Sequence, residues 1–74
     1  NRLAEAEEHI QRAIRLQAEK GMKPQLARSY VGYTRLLQLK GEADKAREYL
    51  DRARALFQEL DMQWHQRRLA ETFG

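Results

Sequence analysis

Two histidines each stand four residues from a carboxylate, His9 after Glu5 and His65 after Asp61. On a helix this spacing puts both side chains on one face, which is the start of a metal site. A closed site needs a third and a fourth ligand, and outer groups that orient the imidazoles. The chain has no cysteine and its two histidines lie far apart, so no metal is expected. Ser29, the one serine, has no histidine at a neighbouring turn to take its proton, so nucleophilic catalysis lacks its base. The glycines Gly21, Gly32, Gly41 and Gly74 stand singly, and no glycine-rich loop cradles a phosphate. The residues thus give no enzyme and no cofactor. Tyr30, Tyr33 and Tyr49 are of a type that stacks on bases, but at helical spacing they are read as core. A net charge of +3 is also small for a nucleic-acid surface.

What remains is binding by surfaces. Fourteen Lys plus Arg face eleven Asp plus Glu, and the basic residues are mostly arginine, the better partner for carboxylates. With 42% hydrophobic and 34% charged residues over 74 positions, the chain suits one small, strongly amphipathic helical domain. A domain of this size buries only about 60% of the surface its unfolded form exposes. No run of about 18 apolar residues exists to cross a membrane. The chain opens on Asn1 rather than Met and without a charged-then-apolar leader, which sets the expectation of a cytoplasmic segment excised from something longer.

The elements that must position these residues are marked by sparse breaks: Gly21 with Pro24, then Gly41, then Asp61. Four helices are expected. In the first, over residues 1–20, Leu3, Ala6, Ile10, Ala13 and Ile14 recur three and four apart, with Leu16 beside them. Gly21 ends it in a left-handed cap. Pro24 opens the second, whose Leu26, Ala27, Tyr30, Val31, Tyr33, Leu36 and Leu37 cover more than half its girth, the pattern of an inner helix touched on both sides. Gly41 closes it, and Glu42 and Asp44 place acid at the next N-terminus, where the helix dipole favours it. The third carries Ala43, Ala46, Leu50, Ala53, Phe57 and Leu60, small alternating with large, so Ala46 and Ala53 mark close helix crossings. Asp61 caps a shorter fourth helix over residues 62–73.

A shift of forty residues lays the chain on itself. Ala6 then meets Ala46, Ala13 meets Ala53, Leu16 meets Leu56, Met22 meets Met62 and Arg28 meets Arg68, with Ile10 on Leu50 and His9 on Tyr49. A period in this range is the signature of a stacked helical repeat. Tyr30, Tyr33, Thr34, Leu37, Gly41, Ala46, Leu50 and Ala53 together resemble a tetratricopeptide repeat (TPR). Thr34 stands at the small position of its first helix, Gly41 at the turn, and Ala46 and Ala53 at the small positions of its second. Gln58 replaces the usual closing proline, which fits longer variant repeats. The resemblance implies an all-α, antiparallel α-solenoid fragment: residues 1–20 the second helix of a partial repeat, 24–60 a complete repeat, and 62–73 a capping or partial-repeat helix. Phe57, Glu59, Leu60, Met62, Trp64 and Arg67 are similar to C-terminal repeat regions of large bacterial signalling proteins.

In such arrays the first helix of each pair lines a concave groove. Carried over residue by residue, the resemblance implies a partner-binding surface of Arg28, Val31, Gly32, Arg35, Gln38 and Leu39, with Arg68 added by the shift. Two cationic ends and an apolar middle suit an extended peptide with acidic residues. The alternatives are a structural or self-assembling repeat unit and a weak nucleic-acid-binding helical module. Gly32 inside a helix costs about 1 kcal/mol against alanine and implies close approach of a helix or of a ligand backbone. Trp64 reads either as packing over Phe57 and Leu60 or as a side chain awaiting a partner. Leu3, Ile10 and Ile14 at one end, and Trp64, Leu69 and Phe73 at the other, are apolar where a terminal repeat needs polarity, so end-to-end association is expected.

Overall fold

The computed structural model describes residues 2–60. Three helices follow one another, α1 (Arg2–Glu19), α2 (Lys23–Leu39) and α3 (Ala43–Glu59), and no strand occurs among the described residues. The expected fourth helix over 62–73, with Asp61, Trp64, His65, Arg68, Leu69 and Phe73, lies outside them.

The two turns share one construction. Gly21 and Gly41 adopt φ of 67° and 80°, a region that costs glycine little and any residue with a Cβ more. This left-handed step lets the Met22 N–H donate to the Gln17 carbonyl (2.9 Å) and the Glu42 N–H to the Leu37 carbonyl (2.9 Å). The glycine N–H groups donate to Ala18 (3.3 Å) and Gln38 (3.1 Å). Carbonyls that a helix end leaves unpaired are thereby satisfied, and the chain reverses within three residues. Pro24 sits in the first turn of α2, where its missing N–H loses no helical bond.

α2 packs against both neighbours, while the backbones of α1 and α3 make no close contact with each other. The pairing is antiparallel: Lys23 at the start of α2 meets Glu59 at the end of α3, and Lys40, just past the end of α2, reaches Glu7 in α1. On the α3 side Ala27, Ala53 and Phe57 form a buried cluster, flanked by Tyr30, Val31, Leu50 and Leu56. A second cluster of Tyr33, Leu36, Leu37 and Ala46 receives Leu3, Ala6, Ile10 and Ile14 from α1, with Tyr49. Ala46 and Ala53 are 3% and 0% exposed, as their small size at helix crossings required. Thr34 is fully buried, and its hydroxyl is satisfied by donating to the Tyr30 carbonyl one turn back (2.8 Å).

Two expectations change. A Cβ built at Gly32 meets nothing within 4 Å, because Gly32 lies on the side of α2 turned away from its neighbours, so no close approach among the described residues explains this glycine. Leu3, Ile10 and Ile14 are not an uncovered end but the residues that α1 turns toward α2. The apolar strip left bare on α1 runs one flank over, through Ala13 and Leu16, the latter 49% exposed.

Candidate functional site

Opposite the core, α2 presents a continuous outer face. With 100° per residue, positions 28, 31, 32, 35, 38 and 39 fall on one side of the helix, Tyr30, Tyr33 and Leu37 on the other, and Ala27 at the edge between them. Arg28, Arg35 and Gln38 are exposed, Val31 and Gly32 half-buried, and Leu39 is 74% exposed. Val31 leans on the Ala27, Ala53 and Phe57 cluster, so the middle of the face is backed by rigid core. Gln38 points toward α3. It helps line an open depression of about 300 Å³ with Thr34, Ala43, Asp44, Ala46, Arg47 and Leu50.

Several charges outside this face are engaged. Arg12 pairs with Glu8 (3.1 Å) and Arg52 with Glu48 (2.9 Å), each one turn apart. The Arg52 guanidinium also lies 4.6 Å over the Tyr49 ring. Lys45 reaches Glu42 (3.8 Å). Arg28, Arg35 and Arg47, like Arg2, Arg15, Lys20 and Arg54, enter no ion pair among the described residues. Their guanidinium groups keep all donors available to an external acceptor. Arg47 was not among the residues expected at the site. Its place beside Gln38 depends on how two helices are juxtaposed, a relation that the pattern of α2 alone does not carry. Arg68 lies outside the described residues.

A polar network fixes the helix that carries this face. Tyr33, 2% exposed, donates its hydroxyl proton to Glu7 Oε2 (2.8 Å) and accepts from Gln11 Nε2 (3.0 Å). Lys40 Nζ donates to Glu7 Oε1 (2.7 Å) and lies 3.1 Å from Glu42. Farther along, the Ser29 hydroxyl donates to Gln17 (2.7 Å). The hydrogen bonds from Lys40 and Tyr33 hold the Glu7 carboxyl below the usual glutamate range. Burial pushes the Tyr33 hydroxyl up, and the bonds to Glu7 and Glu42 raise Lys40. Since Glu7 titrates lower folded than unfolded, it adds stability above its unfolded value, about 4.3, and that contribution is lost as pH falls through the lowered folded one. Thermal melts are therefore expected to drop from about pH 7 to about pH 3, and Glu7→Gln to flatten part of that slope. An unchanged slope in the variant would show that other carboxylates carry the acid sensitivity.

The tyrosines form one aromatic group, with Tyr33 edge-on to Tyr49 at 4.6 Å and Tyr30 tilted against Tyr49 at 5.8 Å. The rings meet edge to face and at a tilt, as aromatic side chains in a helix interface do. His9 is exposed, and no group of three potential metal ligands gathers among the described residues. None of the helices there is long and apolar enough to cross a membrane.

Paired antiparallel helices, glycine turns of one construction and alanines at the crossings agree with the comparison to known families, in which a tetratricopeptide repeat model matches residues 1–59. The chain belongs to the tetratricopeptide repeat family. No curated protein and no solved structure matches it. Tetratricopeptide repeats are typically non-catalytic scaffolds, and this chain is a helical module of that kind.

Proposed function

We propose that the outer face of α2 binds an extended peptide or partner helix carrying acidic side chains. The observation that carries this reading is the pair Arg28 and Arg35, seven residues apart on one face, exposed and outside every ion pair of the described residues, with core-backed Val31 between them. Gly32 and Leu39 add a flat, apolar floor on which a backbone can lie. Gln38 supplies a donor and an acceptor, and Arg68 extends the surface by the forty-residue shift. Arg47 adds a further cation at the rim beside Gln38.

Each exposed charge contact contributes about 0.2–1 kcal/mol. Reversing both arginines removes two and introduces repulsion, so Arg28→Glu with Arg35→Glu is expected to weaken an acidic peptide about tenfold. Titration followed by amide chemical shifts checks this. Unchanged affinity, or shifts confined to Arg12, Arg15, Arg52 and Arg54, would mean that the contact is non-specific and lies elsewhere.

The reading places residues 1–20 as the second helix of a partial repeat, 24–60 as a complete repeat and 62–73 as the start of another, within a larger regulatory protein. The matched Schellman-type turns support that layout. The likeness of Phe57, Glu59, Leu60, Met62, Trp64 and Arg67 to bacterial signalling proteins supports a C-terminal, cytoplasmic place in such a protein. A second reading, end-to-end self-association, is favoured by the bare strip on α1. Tyr49, Ala53 and Leu56 pack on α2, whereas their forty-residue counterparts are exposed at His9, half-buried at Ala13 and exposed at Leu16.

A further inference from the structure

We propose that the Glu7 carboxylate is a proton-operated latch: neutralising it releases α1 from α2 as one unit, turning about Gly21, while α2 and α3 stay paired. The two sides of α2 are held differently. Toward α3, the cluster of Ala27, Ala53 and Phe57, with Tyr30, Val31, Leu50 and Leu56 against it, contains no carboxylate and no basic side chain. Acid leaves it intact. Lys23 and Glu59 pair on that side with both side chains about half exposed, where water screens the contact. Toward α1 the balance shifts, because no residue of α1 is buried. Leu3, Ala6, Ile10 and Ile14 are half-buried, and the rest of the contact is polar and centred on Glu7.

Both oxygens of Glu7 receive donors, the Tyr33 hydroxyl at Oε2 and Lys40 Nζ at Oε1. Gln11 donates to the same Tyr33 oxygen, which keeps the hydroxyl proton aimed at Glu7. A carboxylate accepts at both oxygens, whereas a carboxylic acid donates from one of them. Protonation therefore sets donor against donor, either at Lys40 or at Tyr33, which is 2% exposed and has little water to turn to. The other charges facing this cluster draw Lys40 away. Lys40 Nζ also lies 3.1 Å from Glu42 Oε2, a buried oxygen that no hydrogen bond satisfies. From α3, Lys45 pairs with Glu42 at 3.8 Å and acts on Glu7 only through space, and Tyr49 packs edge-on against Tyr33. With Glu7 neutral, Lys40 belongs to Glu42 alone and α1 loses its charged tie. The sign follows from the lowered titration of Glu7: docking is supported above about 4.3, and the support is lost as pH falls through the lower folded value. Release uncovers Tyr33, Leu36 and Leu37 along α2. The latch shares no residue with the arginine face and does not depend on its binding a peptide.

The test is amide hydrogen exchange on the whole chain in dilute solution, read by NMR as protection factors at about pH 6 and about pH 3.5. Between these two, protection in α1 is expected to fall about tenfold more than protection in α3. Glu7→Gln sets an N–H donor against one of the two donors as the acid does, so it should show the lower α1 protection already at the higher pH, with no further fall specific to α1. Equal changes in α1 and α3 of the parent chain, or no change in either, overturn the proposal, and this readout needs no variant to fold. An α1-specific fall that persists in Glu7→Gln also overturns it, by assigning the acid response to another group. Lys40→Met removes the other half of the pair and should lower α1 protection selectively at the higher pH; a uniform effect there, or none, counts against the latch in the same way.

Discussion

Ala53→Leu is expected to destabilise the chain by about 1–3 kcal/mol, while Ala13→Leu, forty positions earlier, stays within about 0.5 kcal/mol in dilute solution. Both alanines occupy the same small position of a second-type helix, so propensity and repeat register are equal and only the neighbours differ. Ala53 is 0% exposed and touches Ala27 and Phe57, where three added heavy atoms have no room without pushing α2 and α3 apart. Ala13 is half-buried beside exposed Leu16, and a leucine there extends into open space. In a domain of this size each kcal/mol moves Tm by roughly 4–8 °C, so paired thermal melts resolve the two. Equal losses would mean that the flank of α1 is covered within one chain; no loss at Ala53 would mean that the assigned register is wrong.

The same contrast shows what the sequence carried and what it did not. Helix limits were legible to within a residue or two, because Gly21 and Gly41 are needed where φ turns positive and Pro24 is tolerated only in a first turn. The double-sided burial of α2 was legible from the width of its apolar arc, and Ala46 and Ala53 from the alternation of small with large. Rotation of one helix against the next was not. It decides that Leu3, Ile10 and Ile14 face α2 while Leu16 does not, that Glu7 and Gln11 converge on Tyr33, and that Lys40 reaches Glu7. Those residues lie 22 to 33 positions from their partners, and no helical period links α1 to α2. Along the candidate face, the positions in α2 were legible as one helical side, whereas the depression joining Gln38 to Ala43 and Arg47 exists only once two helices are laid together.

Self-association is expected to follow from that rotation. The strip His9, Ala13 and Leu16 lacks the partner that Tyr49, Ala53 and Leu56 find in α2. An exposed apolar strip beside a half-buried alanine gains by burial at about 25 cal/mol per Å², and the piece shaped to cover it is a first-type helix such as the one expected over residues 62–73. One chain lending that helix to the α1 strip of the next makes a head-to-tail contact, which propagates until its rotation closes. Light scattering over a hundredfold range of concentration should then show a mass that keeps climbing. A mass that stops at two chains points instead to a two-fold contact burying the same strip twice. Ala13→Glu discriminates further: the dilute chain should tolerate it, since position 13 retains access to water, but in the assembly its carboxylate would have to be desolvated without a partner, which costs far more than an exposed charge contact returns. The variant should therefore remain monomeric at concentrations where the parent chain associates. Constant monomeric mass for both chains would show that the strip contributes nothing to assembly.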